Sequence, residues 1–252
     1  MICKNCEQNF NGNFCNNCGQ NSNVGKIEYK YLLNEIPNSI FQVNSGILFT
    51  IKELFSSPGN SIREFLKGKR KKHFKPLAFV LLISTLYVLI TYLTDKYIFL
   101  GDGISGIADS MNNDEAKSSI TAKILNWFAQ NNGYATLIIL PFFSLASYLT
   151  FIKSKYNYFE HLILNFYITG QQMVIYIIFT VLFFVLKIEG YFIDIIPLII
   201  GVSYLFLVFI QFFERDKIFK TILKTIVTYI IFLSLIFIVI FSMGIIEKAI
   251  SI

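Results

Sequence analysis

Five stretches of the chain contain no acidic, basic or histidine side chain: 76–94, 134–152, 162–186, 195–213 and 225–246. Even the shortest, as a helix rising about 1.5 Å per residue, reaches about 28 Å, close to the roughly 30 Å hydrocarbon thickness of a bilayer. At that depth an open chain satisfies its backbone polar groups only as a helix. The pattern predicts an all-α integral membrane protein with five transmembrane helices in a domain over 76–252.

The segment 27–75 has a different rhythm. Tyr29, Leu32, Leu33, Ile36 and Ile40 recur at helical spacing, with Pro37 set to bend that helix. Ile47, Leu48, Ile51, Leu54 and Phe55 form a second apolar face, Ser57-Pro58-Gly59-Asn60 is turn chemistry, and 61–66 begins a third short helix. These pieces are too short and too charged to span. They fit amphipathic helices on the inner membrane surface or packed against the ends of the bundle. A similar interfacial helix, carrying Trp127, is expected over Ser118–Gln130.

Composition narrows the class. Of 252 residues, 54% are apolar, 17% aromatic and only 15% charged. That excludes a disordered chain, a secreted disulfide miniprotein and an ordinary water-soluble enzyme. Charge placement sets the orientation. With five spans, 17 Lys and Arg fall on the N-terminal side and 5 on the other, while the first loop holds Asp95, Asp102, Asp109, Asp114 and Glu115. The N-terminus is therefore expected in the cytoplasm and the C-terminus outside. Residues 1–26 contain no apolar run, so no cleavable signal is expected. Lys67, Lys69, Arg70, Lys71, Lys72 and Lys75 crowd together just before the first span. Each Lys or Arg beside an anionic leaflet contributes roughly 1 kcal/mol, so this run is expected to bind lipid headgroups and fix topology.

All four cysteines lie at the start of the chain, as Cys3-x2-Cys6 and Cys15-x2-Cys18. Two such pairs complete a tetrahedral set of four thiolates, which suits one structural zinc ion with no open position for substrate. A redox dithiol or two disulfides are the alternatives, the latter disfavoured in a reducing cytoplasm. Gly19 is expected to let the second turn close, Phe10 and Phe14 to supply apolar support, and Asn11-Gly12 a hairpin turn. The result would be a minimal zinc ribbon over 1–22. Its first twenty residues hold one Lys and one Glu, which argues against nucleic acid.

The pattern Cys3-x2-Cys6-x3-Phe10-x-Gly12-x-Phe14-Cys15-x2-Cys18-Gly19-Gln20 resembles the start of a bacterial family, domain of unknown function 3667. Ser57-Pro58-Gly59-x2-Ile62-Arg63-Glu64-Phe65-x2-Gly68-Lys69-Arg70, with His73-Phe74-x-Pro76 after it, is similar to that family's second block, and Tyr158-Phe159-Glu160-His161-Leu162 to a third. The resemblance implies a zinc-ribbon-headed multi-pass protein of the bacterial inner membrane, with no established activity.

Other motifs carry less. Gly101-x-Gly103-x2-Gly106 matches a dinucleotide fingerprint in letters but follows a span where a strand is needed, so no nucleotide cofactor is expected. No paired carboxylates or nucleophile motif sits within a span, and the chain is not expected to be an enzyme. Glu160 and His161, at the mouth of the third span, are expected to reach cytoplasmic water as interfacial anchors, with a proton relay or phosphate contact as the alternative. Gln171 and Gln172, with Ser144 and Ser147 in the second span, would line a pore in a transporter or, as the simpler reading, make interhelical hydrogen bonds. The overall expectation is an adaptor or regulatory membrane protein whose ribbon binds a protein partner. A transporter or channel using the third span is the alternative.

Overall fold

The computed structural model describes residues 1–32, 46–94, 123–124, 127–128, 131–188, 190–214 and 216–250. The first-loop acids, the glycine fingerprint, most of 118–130, and Leu33, Ile36, Pro37 and Ile40 lie outside them. The described residues are helical, with no strand among them beyond two isolated bridges near the N-terminus, Ile2 to Asn9 and Phe14 to Asn21. The helices are α1 Ile47–Ser56, α2 Pro58–Lys67, α3 Pro76–Thr94, α4 Asn132–Thr150, α5 Tyr158–Val185, α6 Tyr191–Phe212 and α7 Ile218–Ile250.

Among the described residues, four helices are long and apolar enough to cross a membrane: α3, α5, α6 from Ile195, and α7. The expected second span is helix α4, interrupted by Pro141, and its apolar part Tyr134–Thr150 falls short of that length. The charge-free windows also understate two helices. Helix α5 begins four residues earlier than its window because Asn157 and Glu160 form a capping box: the Glu160 N–H donates to Asn157 Oδ1 at 2.9 Å, and the Asn157 N–H to Glu160 Oε2 at 2.8 Å. Helix α7 runs through Lys220 and Lys224.

Helix α5 is the axis of the bundle. Helix α3 packs along it most extensively, and α4, α6, α1 and α2 also touch it, while α7 packs on α4 and α6. Gly170 permits the close approach of α3 to α5, since a Cβ there would lie 2.6 Å from the fully buried Phe79 ring. Beyond Thr228, α7 has no buried residue among those described, and Leu233, Phe237 and Phe241 point outward. An unbroken apolar surface of that kind fits lipid.

The 47–67 region packs on the bundle. Leu54, Ile62 and Phe65 join the core that extends to Phe213, and α2 lies against the end of α6. Leu48 and Phe55, expected on the same face as Leu54, point outward instead. One side of α1 therefore docks while the other is available to the membrane surface. The close fit at Gly170 yields a direct expectation. Gly170→Val, which drives its side chain into Phe79, should cost about 1–3 kcal/mol and lower the thermal unfolding midpoint in detergent. Gly244→Val, where a Cβ would meet nothing within 4 Å, should leave the midpoint near wild type. Equal midpoints for both variants would contradict the α3–α5 packing.

Candidate metal centre and the layer beneath it

The two cysteine turns are copies of one another. The N–H groups of Cys3 and Cys15 donate to the carbonyls of Gln8 and Gln20, and those of Glu7 and Gly19 to Cys3 and Cys15, all at 2.8–2.9 Å. Both turns close through the left-handed region, at φ 69° for Gly19 and φ 61° for Glu7. Gly19 matches its expected role, whereas Glu7 fills the same role without glycine. Asn5, Gln8 and Asn9 recur as Asn17, Gln20 and Asn21, a repeat legible in the sequence that the cysteine spacing alone does not bring out. Phe10 is buried against Cys3 and Cys15. Phe14 is a correction: it is 59% exposed and gives the ribbon no support.

The four sulfurs lie within 4.8 Å of one another, with Cys3–Cys18 and Cys6–Cys15 both at 3.6 Å. Zinc–sulfur bonds of about 2.3 Å at tetrahedral angles place sulfurs about 3.8 Å apart. A disulfide needs about 2.05 Å. The donor set therefore fits a single tetrahedral ion held by four thiolates. The thiols are unequal. The Gln8 N–H beside Cys6 pulls it down to about 6, and burial pushes Cys18 up to about 11.

Gln20, two residues past the last cysteine, joins the ribbon to the rest of the molecule. Its buried side chain donates to Gly68 O at 2.7 Å and accepts from the Arg70 and Lys71 N–H groups, each at 3.1 Å. Gly68 ends α2 at φ 113°, where a Cβ would lie 2.9 Å from Lys4 Cδ. The Lys71 ammonium sits over the second cysteine turn, 3.5 Å from the point where a Gly19 Cβ would be. A positive charge there offsets a thiolate-rich centre.

The basic run is consequently divided. Lys69 pairs with Glu64 at 2.8 Å. Arg70 donates to Gly25 O at 2.9 Å and lies over the Tyr31 ring. Lys71 belongs to the ribbon contact, Lys75 is half-buried, and Lys67 and Lys72 are exposed.

Beneath the run, Thr50 of α1 and side chains of the bundle satisfy the backbone of the 47–75 layer. Thr50 Oγ1 accepts from the Phe74 N–H, Tyr167 Oη donates to Phe74 O, and Tyr204 Oη donates to Leu54 O, at 2.7–3.0 Å. Buried Arg63 donates to the Gln211 and Phe212 carbonyls that end α6, and pairs with Glu214 at 2.8 Å. A cation on the last carbonyls of a helix satisfies orphan acceptors and opposes the helix dipole. Gln171 lies 3.4 Å from Ile51 O, and Gln172 donates to Gly201 O at 2.8 Å. Both make interhelical or interlayer bonds, as the simpler reading expected.

Glu160 and His161 do not reach water. Both are buried, Glu160 in the α5 cap and His161 with its Nδ1 2.9 Å from Ser147 Oγ. The sequence places them at a helix mouth but cannot show that α4 and Phe213 close over them. Asn165 completes this cluster, donating to Ser144 Oγ and Ser147 Oγ at 3.2 Å. Its signal in the sequence is weak, because an uncharged residue does not interrupt a charge-free window.

Residues 44–88 match the sequence model of a family described as Protein of unknown function (DUF3667). The match supports the family to which the chain's motifs pointed, and it spans α1, α2, the basic run and most of α3. No curated protein and no solved structure matches the chain.

Within the matched layer His73 carries a pH dependence. Its Nε2 lies 3.0 Å from Ser61 Oγ, Phe49 and Phe65 flank the ring, and burial lowers its pKa to about 4. An undocked layer returns it to about 6.5 and binds the extra proton. Docking should therefore be fully stable above pH 6.5 and weaken by as much as about 3 kcal/mol as pH falls to about 4. Hydrogen exchange of α2, corrected for intrinsic rates, should accelerate over that window in wild type and lose most of the dependence in His73→Gln. An unchanged slope in His73→Gln would contradict it.

Proposed function

We propose that this member of the family is a five-span inner-membrane adaptor, with a cytoplasmic zinc ribbon serving as its docking head. The carrying observation is the Gln20 clamp, which ties a four-thiol centre to the backbone of the juxtamembrane layer. Zinc is the ion the donor set suits best, and its role here is structural, because four protein sulfurs leave no position for substrate. Helix α4 serves as the fifth span. It packs on α3, α5 and α7, and such packing tolerates a short apolar stretch with a proline. Five spans together with the lysine and arginine bias put the ribbon in the cytoplasm and residue 252 outside. Lys67 and Lys72 then face the anionic leaflet, and the exposed ribbon surface around Phe14 and Ile2 is available to a protein partner.

The transporter reading draws no support from Gln171 and Gln172, which are oriented toward backbone carbonyls. The buried Ser147–His161–Asn165 group joins α4 to α5, and polar contacts of this kind hold membrane helices together.

Elemental analysis of protein purified without chelator should find one zinc per chain. Cys15→Ser should abolish it and expose residues 1–22 to protease while leaving the spans inserted, because so short a segment buries too little surface to fold without metal. Zinc-free wild-type protein, or disulfides trapped directly from cells, would overturn the ribbon. Reporters fused to the two ends should read opposite sides of the membrane. The same side for both would remove α4 as a span.

A further inference from the structure

A cavity of about 370 Å³ opens between the α4–α5 turn and the start of α7, away from the ribbon contact and the basic run. Its apolar wall includes Phe212 and Phe213, and its rim carries Lys153, Lys155, Lys220 and Lys224. Two carboxylates, Glu214 and Asp216, also line it. Each is already engaged: Glu214 with Arg63 at 2.8 Å, and Asp216 with Lys220 at 3.0 Å and Lys224 at 2.5 Å. Among the described residues, Lys153 and Lys155 are exposed and have no carboxylate partner. The cavity thus presents two ammonium groups without a carboxylate, Lys155 resting over the Tyr156 ring at 5.3 Å, with two more shared by one aspartate.

Its position narrows the ligand. Lys153 follows the apolar stretch of α4 directly, and Lys220 and Lys224 lie in the first turns of α7, so the cations sit where two adjacent membrane helices meet the interface. Toward the membrane the surface turns apolar: Leu149 and Ile152 precede Lys153, Ile226, Val227 and Ile230 follow Lys224, and all five are exposed. An ammonium cluster above an outward apolar groove has the two-part chemistry of a phospholipid, a phosphate at the interface and acyl chains along the helices. A soluble phosphate would use the ammonium groups alone.

We propose that this cavity binds the phosphate of an anionic phospholipid through Lys153, Lys155, Lys220 and Lys224, with the acyl chains lying along α4 and α7. Asp216 tempers the site by holding Lys220 and Lys224, so occupancy requires those lysines to divide their contacts between carboxylate and phosphate. The site is separate from the ribbon and does not depend on zinc.

The test uses the full-length protein in detergent, titrated with dioleoylphosphatidylglycerol, dioleoylphosphatidylcholine or inorganic phosphate, with thermal stabilisation as the readout. Phosphatidylglycerol should stabilise wild type saturably, and the apparent affinity should fall about tenfold or more in K153Q/K155Q, two exposed positions whose replacement leaves the fold intact. D216N, which frees two ammonium groups, should bind several-fold tighter. That gain is one a merely structural role for Asp216 would not produce. K30Q/K52Q removes the same charge from exposed positions elsewhere on the N-terminal side and should change affinity less than twofold. Protection by phosphatidylglycerol alone assigns the site to lipid, whereas equal protection by millimolar inorganic phosphate assigns the same lysines to the free anion. Equal affinities for K153Q/K155Q and wild type, an equal loss in K30Q/K52Q, or weaker binding by D216N would overturn the proposal.

Discussion

One side-chain amide couples the two chemically distinct parts of this protein. Gln20 offers two donors and an acceptor, and it meets the carbonyl of Gly68 in the α2 cap and the N–H groups of Arg70 and Lys71 in the basic run. Those backbone groups lie where the chain leaves a helix and has not yet entered the next, so they have no partner in a regular element. The Arg70 N–H also donates to Gly68 O at 3.0 Å, so the Gln20 contact matters most at the Lys71 N–H, where a buried unpaired donor would cost about 1–3 kcal/mol. The Gln20 position is itself fixed by the cysteine turn, since its carbonyl accepts from the Cys15 N–H at 2.8 Å. The order of the metal-binding turn and the order of the juxtamembrane chain are thus physically linked.

The layer under that contact obeys the same constraint. Several polar side chains among the described residues serve the end of the bundle. They satisfy backbone groups there: Tyr167 at Phe74, Tyr204 at Leu54, and Arg63 from above at the end of α6. The family-matched segment contains the layer's contribution to these contacts, including Thr50, Arg63, Gly68 and Phe74. This gives a physical reason for the segment to be recognisable: its residues are committed to a fit between backbone and bundle. The layer thus lies in contact with the ribbon on one side and with α5 and α6 on the other.

The parts of this architecture visible in the sequence were those with a strong local signature. Charge-free runs located the long helices, because ionisable groups are costly in hydrocarbon. The cysteine spacing located the four-thiol cluster, because chelation needs two ligands on one tight turn. Helix starts were less visible: α5 begins at a capping box, Asn157-x2-Glu160, which a search for charges treats as an edge. Least visible was burial by distant elements. Nothing near Glu160 or His161 in the chain reveals that α4 and Phe213 enclose His161, nor does the neighbourhood of Phe14 reveal that Phe10 alone fills the small ribbon core. The clamp at Gln20 belongs to the same class, a contact across about fifty residues of chain.

The central claim is that metal at the four thiols holds the ribbon on the layer through Gln20. Amide hydrogen exchange at Lys71, measured in the full-length protein in detergent with and without a zinc chelator, tests it most directly. With metal present this amide, bonded to Gln20 Oε1, should be protected. Chelation should accelerate its exchange at least tenfold while amides in the middle of α5 keep their rates. A Lys71 amide that exchanges equally fast in both conditions would contradict the account.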